Sequence, residues 1–364
     1  MTASMPFDRE KPYNSLPPVP PAGVELESRA VLKQAIAASR ALAELKGAGD
    51  LIPNQAVLVR VIGLQEAKLS SEIENIVTTN DELYRAFSDD AEKFDSETKE
   101  VLRYNDALWQ GYSLLKEGRP LTTRLFEEIV QTIRKTSEGV RRTPGTRIAQ
   151  PNGTIIYTPP EGEQTLRDKL ANLEQFIYAK DDLEPLVKLA VIHYQFEAIH
   201  PFSDGNGRTG RILNILYMVE SGMLEIPVLY LSRYIIQNKS RYYEGLRRIT
   251  EEGDWENWIL FMLQAVERTA VETHRRVIEI KDLMQRTRDQ VRQELPKIYS
   301  KDLIEVLFAQ PYCRIRFLEQ AGIAKRAAGS KYLQELSRIG VLSRVKVGRE
   351  AYYINTEFFA LLTR

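Results

Sequence analysis

Residues 200–211 read HPFSDGNGRTGR, and no other stretch of the chain restricts its local backbone as tightly. Gly205, Gly207 and Gly210 remove side chains where a chain must turn sharply or lie against a neighbour. Apolar residues then recur at Ile212, Leu213, Leu216 and Met218, so the loop feeds a helix that ends near Gly222. If Gly207 opens that helix, its unpaired amides and dipole form an anion hole. Phe202 is expected to point inward and anchor the loop.

The polar groups of the same twelve residues share one chemistry. Arg208 and Arg211 lie three apart and are expected to project from one side of the helix toward the anion hole. Guanidinium forks suit phosphate oxygens. Asp204, at the loop's entry, is a hard ligand suited to Mg²⁺ bridging phosphates. His200 is the only group there that titrates near neutrality, and it can accept a proton from an attacking hydroxyl. A capping aspartate, a core histidine and solvated arginines would account for a fragment such as DGNG, but not for eight specified positions together.

The rest of the chain reads as mainly helical. Helices are expected over 25–46, 54–76, 102–115 and 122–135, the last with Thr122 as its cap. In the second, Val57, Val61, Leu64, Leu69, Ile73 and Ile76 recur at helical spacing. Residues 1–24 carry PYNSLPPVPPAG and form an extended arm without a core of its own. Residues 143–161 break the pattern, with Asn152-Gly153 between two short strand-like runs, a β-hairpin signal. Helical periodicity resumes over 163–179 and 183–199, and 255–295 reads as one long helix or two in tandem, closed by Pro296. Short helices at 301–309, 314–321 and 326–338 precede two alternating runs around Val347-Gly348-Arg349, the outline of a winged helix.

Composition excludes some functions. The 364 residues hold 50 Lys plus Arg against 50 Asp plus Glu, so no global field attracts nucleic acid or anionic membrane. The lone Cys313 rules out an intramolecular disulfide, and no run is long enough to span a bilayer. A cytoplasmic protein is expected.

HPFSDGNGRTGR matches HxFx(D/E)GNGRxxR, the signature of Fic-domain proteins, at every specified position. Phe196-Glu197-Ala198-Ile199 before it, Leu16-Pro17-Pro18, the helix over 54–76, Tyr157-Thr158-Pro159-Pro160 and Tyr242-Tyr243 also resemble the longer bacterial members. The resemblance implies a mainly α Fic fold with a hairpin flap, an N-terminal helical region and a C-terminal winged helix. The implied units are residues 1–95, 96–290 (catalytic) and 291–364. It further implies AMP transfer from ATP to a Ser, Thr or Tyr hydroxyl of a protein. His200 would take the hydroxyl's proton, and Asp204 would hold Mg²⁺. Gly205, Asn206, Gly207, Arg208, Thr209, Gly210 and Arg211 would bind the phosphates. The flap would pair with the target's backbone as an added strand. Tyr242 and Tyr243 would line the adenine pocket, although adjacent residues on a helix cannot share a face, which leaves room for one to serve packing alone.

Residues 70–75 read SSEIEN and match the family's inhibitory pattern (S/T)xxxE(G/N) at Ser70, Glu74 and Asn75. Ser70 and Glu74, four apart, share a helical face, and the implied brake is a Glu74–Arg211 pair that displaces the γ-phosphate. The same site run in reverse would remove AMP from a modified hydroxyl. His193 lies seven residues before His200, two turns along one face, yet lacks a metal-ligand set and reads as a packing histidine. The alternative function is a DNA-binding regulator that uses Arg314, Arg316, Lys325, Arg326, Lys331 and Arg338, with Arg344, Lys346 and Arg349 on the wing. A homodimer is compatible with the long helical faces. No pattern specifies the target protein, the chain itself included.

Overall fold

The computed structural model describes residues 7–49, 55–89, 91–150, 152–347 and 350–364. Asn54, the side chain of Val57, Gly348 and Arg349 therefore lie outside the described residues. The chain is mainly helical. Four helices come first: α1 (Arg29–Gly49), α2 (Gln55–Ile73), α3 (Asn80–Ser88) and α4 (Ser96–Lys116). α5 (Thr123–Arg134) precedes the hairpin β1 (Ile148–Ala149) and β2 (Ile155–Tyr157), and α6 (Glu163–Tyr178) follows it.

Two helices form the centre, α7 (Pro185–Ile199) and α8 (Asn206–Glu220). Both are buried nearly all round; α7 is apolar on almost every side, whereas α8 also buries Arg208, Arg211 and Asn214. The start of α7 is fixed by Pro185 in its first turn and by the Glu184 carboxylate, which accepts from Leu186 N at 2.6 Å and Val187 N at 3.1 Å. α5 shows the opposite pattern: Leu125, Phe126, Ile129, Val130 and Ile133 form one buried stripe. Thr122 occupies its cap position, but its side chain makes no cap bond. Glu174 of α6 accepts from Thr123 N at 2.7 Å instead.

α9 (Leu231–Gln237) and α10 (Lys239–Glu252) lead to α11 (Trp255–Glu294), one continuous helix of 40 residues, about 60 Å long. α1 runs along it, with Gln34 donating to Glu267 at 2.6 Å and Ser28 to Glu256 at 2.8 Å. The described part of the arm has no core of its own and docks on α6 and α7. Asn172 accepts from Val19 N at 2.8 Å and donates to Val19 O at 3.0 Å, and Gln195 donates to Pro17 O at 3.0 Å. Leu16 and Val19 are buried there.

The last elements are α12 (Lys301–Ala309), β3 (Tyr312–Cys313), α13 (Ile315–Gln320), α14 (Arg326–Arg338), β4 (Ser343–Val347), β5 (Glu350–Ile354) and α15 (Thr356–Thr363). The three strands form an antiparallel sheet in the order β3-β5-β4. This region grips the segment after α2. Arg314 lies 2.7 Å from Asp89, Tyr352 donates to Asp89 at 3.0 Å, Tyr312 donates to Asp81 and Arg316 to Ser88 O. Arg314 and Arg316, read from sequence as DNA-phosphate contacts, are therefore held internally. Among the described residues no helix is long and apolar enough to cross a membrane.

Candidate active site

The loop between the two central helices is built by its own residues. His200 ends α7 in the left-handed region (φ 49°), with its N–H on Phe196 O at 3.1 Å. Gly205 (φ 83°) turns the chain into α8. Both ends of the Asn206 amide bind the Phe202 backbone at 2.8 Å. The Asn206 side chain thus closes the loop, and only its N–H is left for a ligand. Phe202 is buried against Phe196, ring centroids 6.2 Å apart. Arg141 reinforces the turn, donating to His200 O at 2.9 Å and to Pro160 O.

Thr209 makes the first intrahelical bond of α8, to Gly205 O, so the N–H groups of Asn206, Gly207 and Arg208 point out of the helix start. Over them sits Glu74. A Cβ on Gly207 would lie 2.3 Å from Glu74 Oε1, so glycine is what admits the carboxylate there. Glu74 Oε1 accepts from Arg211 Nη2 at 2.9 Å, while Arg211 also donates to Ser70 Oγ at 2.7 Å and Ser70 O at 2.9 Å. Arg211 is fully buried. Burial works against its charge, but Glu74 and further anionic partners outweigh that and hold the guanidinium above its ordinary pKa.

The position of Glu74 follows from how α2 stops. Ile76 N binds Ser71 O, Asn75 N binds Glu72 O, and Asn75 is left-handed (φ 63°). This is a Schellman stop, in which asparagine or glycine is favoured at the left-handed residue. The residue before it is Glu74, which the stop aims at α8.

Arg208 and Arg211 do not converge as their spacing suggests. Arg211 turns to α2, whereas Arg208, equally buried, pairs with Glu100 of α4 and lies 3.7 Å from Asp204. Asp204 accepts from Gly205 N at 2.5 Å and pairs with Arg134 at 2.7 Å. Thr209 is fully buried, and a Cβ on Gly210 would lie 2.4 Å from Glu197 Oε1. Gly210 thus makes room for a side chain rather than for a ligand.

A cavity of about 690 Å³ joins Glu74, Glu197, His200, Gly207 and Tyr243 to the hairpin residues Ile148, Ala149, Gln150 and Ile156. Burial, reinforced by Arg141, pushes the His200 imidazole down to about 4, so it is neutral at pH 7 and able to take a proton. Burial pushes the Glu197 carboxyl up to about 7, with Arg211 opposing the shift and Glu74 adding to it.

Three family models match consecutive parts of the chain: the Fic/DOC family N-terminal region over residues 32–113, the Fic/DOC family over 120–218, and the C-terminal domain of protein adenylyltransferase SoFic-like over 283–358. The chain carries the N-terminal and core domains of the Fic/DOC family. A protein adenylyltransferase Fic of Nematostella vectensis is 31% identical over 115 residues, which is 31% of this chain and 25% of that protein. A probable protein adenylyltransferase of Aquifex aeolicus is 39% identical over 97 residues, 27% of each. The Fic chain thus spans about a quarter of the length of these curated relatives. A Fic family protein from Desulfovibrio desulfuricans shares its fold, with TM-score 0.59 and 19% identity over 90% of this chain and 96% of that one. Fic-1 from C. elegans does so with TM-score 0.52 and 19% identity, over 69% and 74%.

Two sequence expectations for this Fic site need correction or completion. Tyr242 does not line the cavity. It is buried, bonds His193 Nε2 at 2.8 Å and packs on Trp258, while its helix neighbour Tyr243 faces the opening. The same bond makes His193 a packing residue, and burial pushes it down to about 3. No group of three or more His, Cys, Asp or Glu side chains able to hold a metal occurs among the described residues. Asp204 supplies a carboxylate oxygen beside a helix start with unpaired amides. That donor fits Mg²⁺ arriving on a nucleotide, whose phosphates and waters complete the shell.

Proposed function

We propose that this chain transfers AMP from ATP to a hydroxyl side chain of a protein, and that Glu74 restrains the reaction. The reading is supported by one arrangement above all: a neutral histidine, a helix start with unpaired amides and the carboxylate that caps buried Arg211 open onto the same cavity. The target hydroxyl sits at the hairpin side, with its segment paired to the flap as an extra strand. His200 takes the hydroxyl proton as the oxygen attacks the α-phosphorus. The bond from that phosphorus to the bridging oxygen breaks, and pyrophosphate leaves. The α8 amides and Arg208 bind phosphate oxygens, and Arg211 receives the γ-phosphate once Glu74 withdraws. Asp204 would hold Mg²⁺, which supplies charge neutralisation on the phosphates. Tyr243 forms one wall for the base. The C-terminal region is read as a winged helix that fastens α3.

Incubating Glu74→Gly protein with Mg²⁺ and ATP labelled at either the α or the γ position tests this. AMP transfer puts α-label, and no γ-label, on protein hydroxyls, and Glu74→Gly/His200→Ala abolishes it. γ-Label on protein, or α-label independent of His200, refutes the assignment. Release of AMP from a pre-labelled target by the wild type would show the reverse reaction.

A further inference from the structure

Four charges outside the Glu74–Arg211 pair close a ring beside the start of α8. Asp204 Oδ2 lies 2.7 Å from Arg134 Nη1, and Arg134 Nη1 lies 3.2 Å from Glu100 Oε1. Glu100 Oε1 pairs with Arg208 Nη1, and Arg208 Nη2 lies 3.7 Å from Asp204 Oδ1. The ring is neutral, two carboxylates to two guanidiniums. It is anchored from two helices that the loop itself does not belong to: Glu100 on α4 and Arg134 at the end of α5.

Within this ring both oxygens of the proposed metal ligand are engaged. Oδ1 accepts the Gly205 N–H, and Oδ2 faces the Arg134 guanidinium. A divalent ion bound through Oδ2 would meet a fixed positive charge on the same oxygen, and like charges that close repel strongly. The Arg134 stem packs over Gly205, where an added Cβ would touch its Cγ at 3.5 Å and its Cδ at 3.7 Å. The head group is freer, with its side chain 37% exposed. A polar cavity of about 190 Å³, lined by Arg134, Glu138, Ser203 and Asp204, opens directly beside it. Glu100 and Glu138 give the displaced guanidinium two carboxylates to turn to.

We propose that Arg134 is a place-holding cation on Asp204. It neutralises the carboxylate in the resting protein and yields to the divalent ion that enters with the nucleotide. Arg134 thereby sets the metal concentration at which the phosphate site assembles, and it acts through Asp204 as a positioning residue. The inference rests on the proposed nucleotide site, but it concerns metal affinity and not group transfer.

The test uses full-length Glu74→Gly protein, Mn²⁺ as the probe and α,β-methylene-ATP as a nucleotide that cannot release pyrophosphate. Bound Mn²⁺ is read from the loss of the free-ion electron paramagnetic resonance signal. Arg134→Gln is expected to tighten apparent Mn²⁺ affinity by about tenfold because it removes the like charge beside the metal ligand, Arg134→Lys to stay near the parent, and Asp204→Asn to abolish the effect. Affinity unchanged within about twofold, or weakened in Arg134→Gln, overturns the proposal and makes Arg134 an orienting partner or a bystander. No nucleotide-dependent Mn²⁺ binding in any variant overturns the metal assignment together with it. A tightened affinity in a protein that transfers no AMP leaves this inference standing and removes only the proposed function.

Discussion

Replacing Glu74 by glycine deletes the carboxylate that accepts from Arg211 Nη2, 2.9 Å away, and leaves both Ser70 bonds to the same guanidinium in place. The arginine therefore stays aimed while its anion is removed. Two unit charges about 4 Å apart at an effective dielectric near 20 attract by ~4 kcal/mol. The Glu74 side chain is 36% exposed against 1% for Arg211, so solvent screening reduces the useful part to ~2–3 kcal/mol. A γ-phosphate no longer has to displace that pair, and AMP transfer at subsaturating ATP should rise by about 30- to 150-fold. The assay is the initial rate of α-label incorporation into protein, with melting curves to show that each variant is folded. Glu74→Gln keeps an acceptor without the charge and should fall between wild type and Glu74→Gly. Glu72, two residues earlier, pairs with Lys68 at 3.1 Å, and Glu72→Gly serves as the control. A rise below about threefold in folded Glu74→Gly, or an equal rise in Glu72→Gly, would refute the competition argument.

The adjacent tyrosines should separate cleanly. Tyr242→Phe strips buried His193 of its bond at 2.8 Å and should lower stability by ~1–3 kcal/mol with ATP affinity intact, whereas Tyr243→Ala should weaken nucleotide binding without lowering the melting temperature. Buried Glu66, which accepts from Ser232 N at 3.1 Å, has its carboxyl pushed up to about 7 by burial against the bonds from Ser232. A raised folded-state pKa means that stability is fully present below the unfolded value near 4.5 and is lost as pH climbs to about 7. The melting temperature of wild type minus that of Glu66→Gln should therefore fall between those limits and then level off; a constant difference would contradict the assignment. Arg316 is held by Ser88 O, whereas Lys325, Arg326 and Lys331 are exposed. Low-salt anisotropy with duplex DNA should thus respond to Lys325→Glu/Arg326→Glu and not to Arg316→Ala.

What could be read from sequence was the part of the site that is contiguous. Residues 200–211 specify a turn, a helix start and their charges because glycine geometry and helix amides act over a few residues. The pairing of Glu74 with Arg211 spans 137 positions and came from the resemblance alone, since nothing in SSEIEN indicates which cation its glutamate meets. Glu100, Arg134 and Arg141 were missed for the same reason. Each is one charged residue in an ordinary polar stretch, and only the packing of α4, α5 and the loop brings them to Asp204, Arg208 and His200. The unread helices were short or polar: α10 buries only Tyr242 and Ile249, too few for an apolar period to register. β3, two residues long, exists because β5 pairs with it. α5, with its single buried stripe, is legible to within one residue at each end, whereas α4 starts six residues before the expected Leu102 and α1 starts four residues after the expected Glu25.

The account stands or falls on where ATP lies. A crystal of Glu74→Gly protein grown with Mg²⁺ and α,β-methylene-ATP should show the γ-phosphate on Arg211, the metal on Asp204 and the α-phosphorus facing His200 from the hairpin side. A nucleotide seated elsewhere, or an imidazole turned away from the α-phosphorus, would contradict it.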